Sequence, residues 1–377
     1  MKFCFVCNEY PPFVNGGIGT FTKEIAESLV REGHSVTVVG FYNNLKEDAF
    51  EVINGVELQM LKKPFQSYLL ARTRLLYKIK KLHDQKVFDI LECQDNSGLI
   101  TFLPKLDCKI IVRFHGSITY FNDEMKQRSF KDYAWKFLEA KTIAKADQLV
   151  SVSDYTAERT RALFSIPQRR SIYTIYNGVV VDKDLVERDY TENSSFNVVF
   201  SGSILRKKGF FSLINSWDSF NSEYPGAVLH IAGKDNQGVL ERILERNGLI
   251  KGLKYHGILD KNSLNELYDK CDIAVFPSFS EAFALAPMEA MARRLPVIYS
   301  KLSSGKELIP EHKYGYLIDP NFPEQITTCL REYKALSISE KKKIANNSYD
   351  LIKNKFDVSA LTKVNIEMYN KVIYGEN

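Results

Sequence analysis

Short apolar or β-branched runs alternate with amphipathic helical patterns along this chain. Phe3 to Cys7 reads as a buried strand, Thr20 to Glu32 as a helix, and Ser35 to Gly40, Ile110 to Phe114 and Gln148 to Val152 as further strands. Such alternation predicts βαβ units on a parallel sheet. The pattern restarts at Asn197 to Ser201, followed by helix Phe211 to Glu223, strand Val228 to Ala232, helix Gln237 to Asn247 and strand Ile273 to Phe276. A second α/β unit therefore begins there. Between the two, Asp182 to Ser195 is rich in Asp, Glu, Asn and Ser with little periodicity, which reads as a connection. The expected division is an N-terminal Rossmann-like domain at 1–190 and a C-terminal one at 191–357. A final helical stretch, 358–377, has no strand to follow it, and the first domain is the surface for it to pack back on.

The length supports two domains, because 377 residues exceed the ~250 to 300 at which a single core usually stops growing. Hydrophobic residues make up 45% and charged residues 26%, which excludes a disordered or fibrous chain. No run approaches the ~20 apolar residues of a membrane span. The apolar start ends at Asn8-Glu9-Tyr10-Pro11 without a small-residue cleavage site, so it reads as a strand rather than a signal peptide. Cysteines at 4, 7, 93, 108, 271 and 329 fall mostly inside apolar runs, as buried thiols of a cytoplasmic protein do. Cys4 and Cys7 would face opposite sides of a strand, which rules against joint metal or redox chemistry. The net charge of +5 is uneven: Lys62 to Lys86 holds eight Lys or Arg against one acid, Asp84. The apolar residues between them make residues 62–86 a basic amphipathic helix, suited either to the inner face of an anionic membrane or to a solvated flank. No aromatic-plus-basic module points to nucleic acid.

The chemistry-bearing residues should follow strands, because open α/β sheets bind ligands at the carboxyl ends of their strands. After the first strand comes Pro11-Pro12-Phe13-Val14-Asn15-Gly16-Gly17-Ile18-Gly19-Thr20, a glycine-rich loop opening into a helix that could cradle a phosphate or simply turn tightly. His115-Gly116-Ser117 follows the strand ending at Phe114, where an imidazole could meet substrate hydroxyls or phosphate near neutral pH. In the second half, Gly202-Ser203-Ile204-Leu205-Arg206-Lys207-Lys208-Gly209 sets three cations before a helix, an unfavourable placement unless an anion joins them. A diphosphate suits that role. Glu281 and Glu289 lie eight residues apart after strand Ile273 to Phe276, the second inside an apolar helix face. A carboxylate accepts two hydrogen bonds and so fits the vicinal hydroxyls of a sugar or ribose.

Taken together these motifs resemble the retaining glycosyltransferases of family 4, which have the GT-B fold: two facing Rossmann-like domains with parallel sheets and a cleft between them. The resemblance rests on Gly16-Gly17-Ile18-Gly19, Gly33-His34-x-Val36, His115-Gly116, Asn177-Gly178, Gly202 with Lys208-Gly209, His256-Gly257, the Glu281 to Glu289 pair, Pro296-Val297-Ile298 and Glu307. It implies that Glu289 grips the donor ribose and that Glu281 lies beside the transferred sugar. The amides of Phe283, Ala284 and Leu285 would line sugar and phosphate, Lys208 would neutralise the leaving diphosphate, and His115 and Gly17 would meet the donor from the N-terminal side. The diphosphate would itself accept the acceptor's proton, with no metal or other cofactor; Asp182-Lys183-Asp184, though it spells a metal-binding motif, sits in the polar connection. A UDP-linked hexose or N-acetylhexosamine donor, bound by the domain at 191–357, and a glycan or lipid-linked acceptor of bacterial surface polysaccharide or glycolipid synthesis, bound by the domain at 1–190, are implied. A nucleotide-sugar epimerase on the same scaffold and a non-catalytic subunit are the alternatives.

Three departures from the family stand out. Ser203 replaces an arginine of the phosphate clamp, leaving Arg206 or Lys207 to substitute. Ala282-Phe283-Ala284 replaces Gly-Phe-Gly, which requires ordinary backbone angles there. Arg294 replaces a helix-ending glycine, at a cost of ~1 kcal/mol if that position is left-handed.

Overall fold

The computed structural model describes all residues except 14–15, 44, 65–66, 128, 189–194, 237, 248–249 and 376–377. Among the described residues the chain forms two compact units, Met1–Gly178 together with the residues from Val358 on, and Val179–Asp357.

The first unit runs β1 (Lys2–Val6), α1 (Gly17–Arg31), β2 (Ser35–Tyr42), β3 (Ala49–Ile53), β4 (Val56–Lys62), α2 (Tyr68–Asp84), β5 (Ile90–Gln94), β6 (Lys109–Phe114), α3 (Ile118–Glu124), α4 (Lys131–Lys145), β7 (Gln148–Ser151), α5 (Asp154–Phe164) and β8 (Ile172–Thr174). Its sheet has the order β3-β4-β2-β1-β5-β6-β7-β8. Every neighbouring pair in that order from β4 through β2, β1 and β5 to β8 is parallel, as the alternation predicts, but β3 pairs antiparallel with β4. That edge hairpin corrects the all-parallel expectation. Its turn is Asn54-Gly55, both at positive φ (50° and 81°), the pair that matches the twist of a two-residue hairpin.

Apolar side chains cover both faces of this sheet, as buried parallel strands require. On one, Ala71, Leu75, Ile79 and Leu82 of α2 meet Val39, Leu91 and Val112. On the other, Phe21, Ile25 and Leu29 of α1 pack with Phe3, Phe5 and Val38. Cys4 belongs to the first of these cores and Cys7 to the second, so the two thiols do face opposite sides. The apolar stripe that makes 62–86 amphipathic is therefore largely spent on the core; among the described residues Leu69, Leu70 and Tyr77 are its exposed apolar members.

The second unit runs β9 (Asn197–Ser201), α6 (Phe210–Glu223), β10 (Val228–Ala232), α7 (Val239–Asn247), β11 (Leu253–Tyr255), α8 (Lys261–Lys270), β12 (Ile273–Phe276), α9 (Leu285–Ala292), β13 (Val297–Ser300), α10 (Gly305–Leu308), β14 (Tyr316–Ile318), α11 (Glu324–Ala335) and α12 (Ile338–Lys355). Its strands lie in the order β11-β10-β9-β12-β13-β14, every pair parallel.

The last helix, α13 (Val358–Tyr374), belongs to the first unit and packs on α1. A buried polar cluster anchors it: Arg113 Nε donates to Glu92 Oε1 at 2.6 Å, Tyr369 donates to Glu92 Oε2 at 2.6 Å, and Arg113 Nη2 donates to Asn365 Oδ1 at 2.7 Å. Removing one partner would strand a buried charge, so the cluster fixes where α13 docks. The chain crosses between units at Gly178/Val179 and again at Asp357/Val358, and Val179 N–H donates to Phe356 O at 2.9 Å. This division precedes the expected boundary near 190, which lies outside the described residues, as do the Val14-Asn15 part of the glycine loop and Gln237 at the expected start of α7. Among the described residues no helix is long and apolar enough to cross a membrane.

Candidate active site

In each unit the chain winds outward from a central strand and then crosses back to that strand's other side. The switch lies between β1 and β5 in the first unit and between β9 and β12 in the second. Loops at the carboxyl ends of such strand pairs form the natural ligand crevice.

In the second unit the two loops touch. After β9, Arg206–Lys208 make one turn of 3₁₀ helix that ends at Gly209. Gly209 has φ 72°, and a Cβ there would lie 1.8 Å from Pro277 O in the loop after β12, so a side chain at 209 would push the loops apart. Phe279 N–H donates to Lys207 O at 2.8 Å across the same seam. This contact brings Lys208 Nζ within 2.6 Å of Glu281 Oε1. Part of the negative charge that the cations before α6 require is thus supplied internally by Glu281. Burial pushes the Glu281 carboxyl up, but Lys208, Lys207 and a Ser278 hydrogen bond outweigh it and hold the carboxyl below its usual range. Burial, with Lys208 beside it, lowers Lys207, while Glu281 opposes the shift. Arg206 is exposed, so Lys207 is the cation drawn into the field of Glu281.

Helix α9 begins at Leu285 with Ala284 as its N-cap, and no side chain caps it. Ala284 has an ordinary φ of −75°, and Ala282 is not among the positive-φ residues, so both alanines fit without strain. Phe283 is buried, its ring 5.4 Å from that of Phe356. Glu289 points back to α8, where Lys261 Nζ lies 2.5 Å from Oε1. Its side chain is 16% exposed. The sequence reading missed Lys261, and no local spacing marks it. Below Glu289, the Tyr268 hydroxyl is 2.5 Å from Ser201 Oγ, and burial, with Glu289 nearby, raises its pKa. Ser203 is half-buried beside this loop. Arg294 is left-handed, with φ 54°. Its guanidinium lies 4.0 Å over the Tyr349 ring and donates to Asn346 Oδ1 at 2.7 Å, contacts that a glycine cannot make.

The first unit departs further from expectation. Gly17 opens α1 and is exposed, but the seat foreseen for a phosphate at this helix N-terminus is occupied by Glu9. Its Oε1 accepts Gly19 N–H at 2.9 Å, and burial raises its pKa against the opposing amides of Gly19 and Ile18. Gly19 is obligatory, since a Cβ there would lie 1.7 Å from Glu9 O, whereas a Cβ at Gly17 meets nothing within 4 Å.

His115 follows β6 as expected, yet it is 9% exposed and its ring packs 4.6 Å from Phe21. Burial, and then Arg113, lower its pKa to about 3, so the imidazole is neutral at the near-neutral pH where it is expected to meet substrate hydroxyls or phosphate. Its backbone N–H donates to Asp95 Oδ1 at 2.9 Å. Asp95, just past β5 at the switch point, is fully buried and pushed up to about 8 by burial, with Glu139 adding to the rise. It too was missed; only its place after an apolar run hinted at a role. Asp182 Oδ1 accepts Asp184 N–H at 3.1 Å, and Arg293 lies 3.8 Å from Asp182 Oδ2. Among the described residues no three His, Cys, Asp or Glu cluster as metal ligands.

Two family models match the chain in tandem: Glycosyltransferase Family 4 over residues 15–183 and Glycosyl transferases group 1 over residues 183–350. An uncharacterised glycosyltransferase of Methanocaldococcus jannaschii is 25% identical, with 98% of each chain covered. Sucrose-phosphate synthase of Thermosynechococcus elongatus superposes with a TM-score of 0.81 at 15% identity, covering 99% of both chains. Anabaena HepE, solved with UDP and glucose, superposes with a TM-score of 0.75 at 17% identity, covering 98% of this chain and 99% of that one. The fold is GT-B, with two Rossmann-like domains.

Proposed function

This chain belongs to the glycosyltransferases, and we propose that it moves a hexose or N-acetylhexosamine from a UDP-linked donor, with retention, to a glycan or lipid-linked acceptor. The observation that carries the reading is the charge at the switch point of the second unit. Two ammonium groups, Lys207 and Lys208, meet one carboxylate, Glu281, where the loops after β9 and β12 touch. The loop carries positive charge in excess, and a diphosphate offers the matching anion.

In the proposed reaction the bond from the donor's C1 to the diphosphate oxygen breaks and the electron pair leaves with the diphosphate. The acceptor oxygen bonds C1 on the same face, and its proton passes to the departing diphosphate. The protein's task is then electrostatic. Lys208 and Lys207 neutralise the leaving group, and Glu281, kept ionised, aims Lys208 and lies beside the sugar. Glu289 accepts from the ribose hydroxyls, and the uncapped start of α9, with the amides of Phe283, Ala284 and Leu285, meets phosphate and sugar. Arg206 and Ser203 flank the diphosphate. His115, neutral, acts as a hydrogen-bonding group rather than an acid. In this reading the lysines supply the charge that a metal supplies elsewhere, and no cofactor takes part. Retention follows the sequence resemblance, and UDP is supported by the HepE complex.

In this reading the enzyme works at the cytoplasmic face of an anionic membrane, in the synthesis of bacterial surface polysaccharide or glycolipid. Leu69, Leu70 and Tyr77, exposed on α2 among Lys78, Lys80 and Lys81, provide the contact. A thermal-shift series with UDP, GDP, ADP and CDP without added metal tests the donor, because a ligand that binds only the native state raises its melting temperature. A rise with UDP that disappears in Glu289→Ala, with turnover lowered in Lys208→Ala, supports the assignment. Wild-type donor affinity and turnover in both variants would refute it, and the anomeric coupling of the first-formed product tests retention.

A further inference from the structure

We propose that a concavity of about 500 Å³ formed by α3, α4 and α5 in the first unit binds the pyranose rings of a glycan acceptor; this rests on the transferase reading above. Its volume falls in the range of about 300 to 1,000 Å³ typical of small-molecule sites. It lies on the helix that starts directly after the His115-Gly116 loop, since α3 is capped by Ser117.

The lining is what a sugar requires. Phe130 at the N-cap of α4 is 96% exposed and Tyr133 one turn on is 78% exposed, two neighbouring large rings open to a ligand. The carbon-bound hydrogens on one face of a pyranose meet the electron-rich face of such rings. Asn122, Asp123, Gln127 and Asp132 line the same concavity, planar amides and carboxylates that pair with vicinal hydroxyls.

These groups are held in place rather than loose. Asn122 Nδ2 donates to Asp132 Oδ1 at 2.8 Å, and Asp132 Oδ2 accepts Ser129 N–H at 2.5 Å, which ties the end of α3 to the start of α4. Arg159 of α5 pairs with Asp123 and reaches Glu124 at 2.8 Å, while the Tyr155 hydroxyl donates to the same Glu124 carboxylate. The lining carries charge of both signs, Asp123 and Asp132 with Lys136, and so offers acceptors and a donor to saccharide hydroxyls, which both donate and accept.

Saturation-transfer NMR on the full chain with UDP present, using maltotriose, cellotriose and triacetylchitotriose, tests the site. At least one trisaccharide receives saturation, and in the Phe130→Ala/Tyr133→Ala variant its affinity falls about tenfold or more, the loss of two ring contacts. Both rings are exposed, so the variant keeps the wild-type melting temperature and the UDP-induced rise. The proposal is overturned if no trisaccharide is saturated while UDP binds, or if the signals survive the double substitution. It is equally overturned if the variant loses phosphatidylglycerol vesicles instead of the saccharide. A trisaccharide signal that depends on the rings without any UDP binding supports the pocket and counts against the donor assignment.

Discussion

Glu289 is where the donor assignment meets a competing interaction that can be measured. Its carboxylate lies 2.5 Å from Lys261 Nζ, with the lysine side chain 57% exposed. An exposed pair of this kind contributes about 0 to 1 kcal/mol, because water screens it and two side chains are immobilised. A carboxylate has about four lone-pair sites, so Lys261 leaves room for ribose hydroxyls. Hydrogen bonds to a charged group contribute roughly 1.5 to 3 kcal/mol, and Glu289→Gln keeps the shape while removing the charge. UDP should therefore bind about 10- to 150-fold more weakly to Glu289→Gln, with Kd read by titration calorimetry. Lys261→Ala should shift Kd by no more than about fivefold, the whole worth of the pair. Melting temperatures taken alongside establish that both variants fold. A Glu289→Gln protein that binds UDP within threefold of wild type, at unchanged melting temperature, would place the ribose elsewhere and refute the reasoning.

Four further outcomes follow from the geometry. Asp95 has a folded pKa near 8 against a lower unfolded value, so the native state holds the extra proton and stability falls as pH rises from about 4 to 8, by on the order of 1 kcal/mol per unit. Asp95→Asn keeps the acceptor for His115 N–H and should flatten that slope, which melting curves at pH 5 and pH 9 would detect. His115 acts at the acid end with the opposite sign: its folded pKa of about 3 lies below the unfolded value, so stability is lost as pH falls below about 6.5. Gly19→Ala should unfold or strongly destabilise the first unit, because its Cβ would lie 1.7 Å from Glu9 O, whereas Gly17→Ala should melt like wild type. Lost activity in Gly17→Ala would then report a ligand contact, and equal melting of the two variants would contradict the packing. Arg294→Gly should be about 1 kcal/mol more stable than Arg294→Ala in urea unfolding, since both lose the Tyr349 and Asn346 contacts but only alanine retains the left-handed strain.

Much of this architecture was legible because it is local. The βαβ alternation is written in the period of apolar residues, and Glu281, Glu289, Lys208 and His115 were found after strands because that is where α/β sheets expose their ligands. The Asn54-Gly55 hairpin was legible too and was overlooked, although that dipeptide between apolar runs is a strong local signal.

The sequence by itself determined the elements, the two α/β units and the loops that carry charge. The tertiary structure alone decided which groups those charges meet. Lys208 finds Glu281 across 73 positions, Glu289 finds Lys261 across 28, and His115 is held by Asp95 across 20. Arg113 reaches Asn365 across 252 and so brings the last helix home to the first unit. Such pairings depend on strand order and on which loops a sheet places side by side, and a hydrophobic period along the chain encodes neither. The same holds for protonation: His115 and Asp95 owe their opposite shifts to burial, which exists only once the chain has folded.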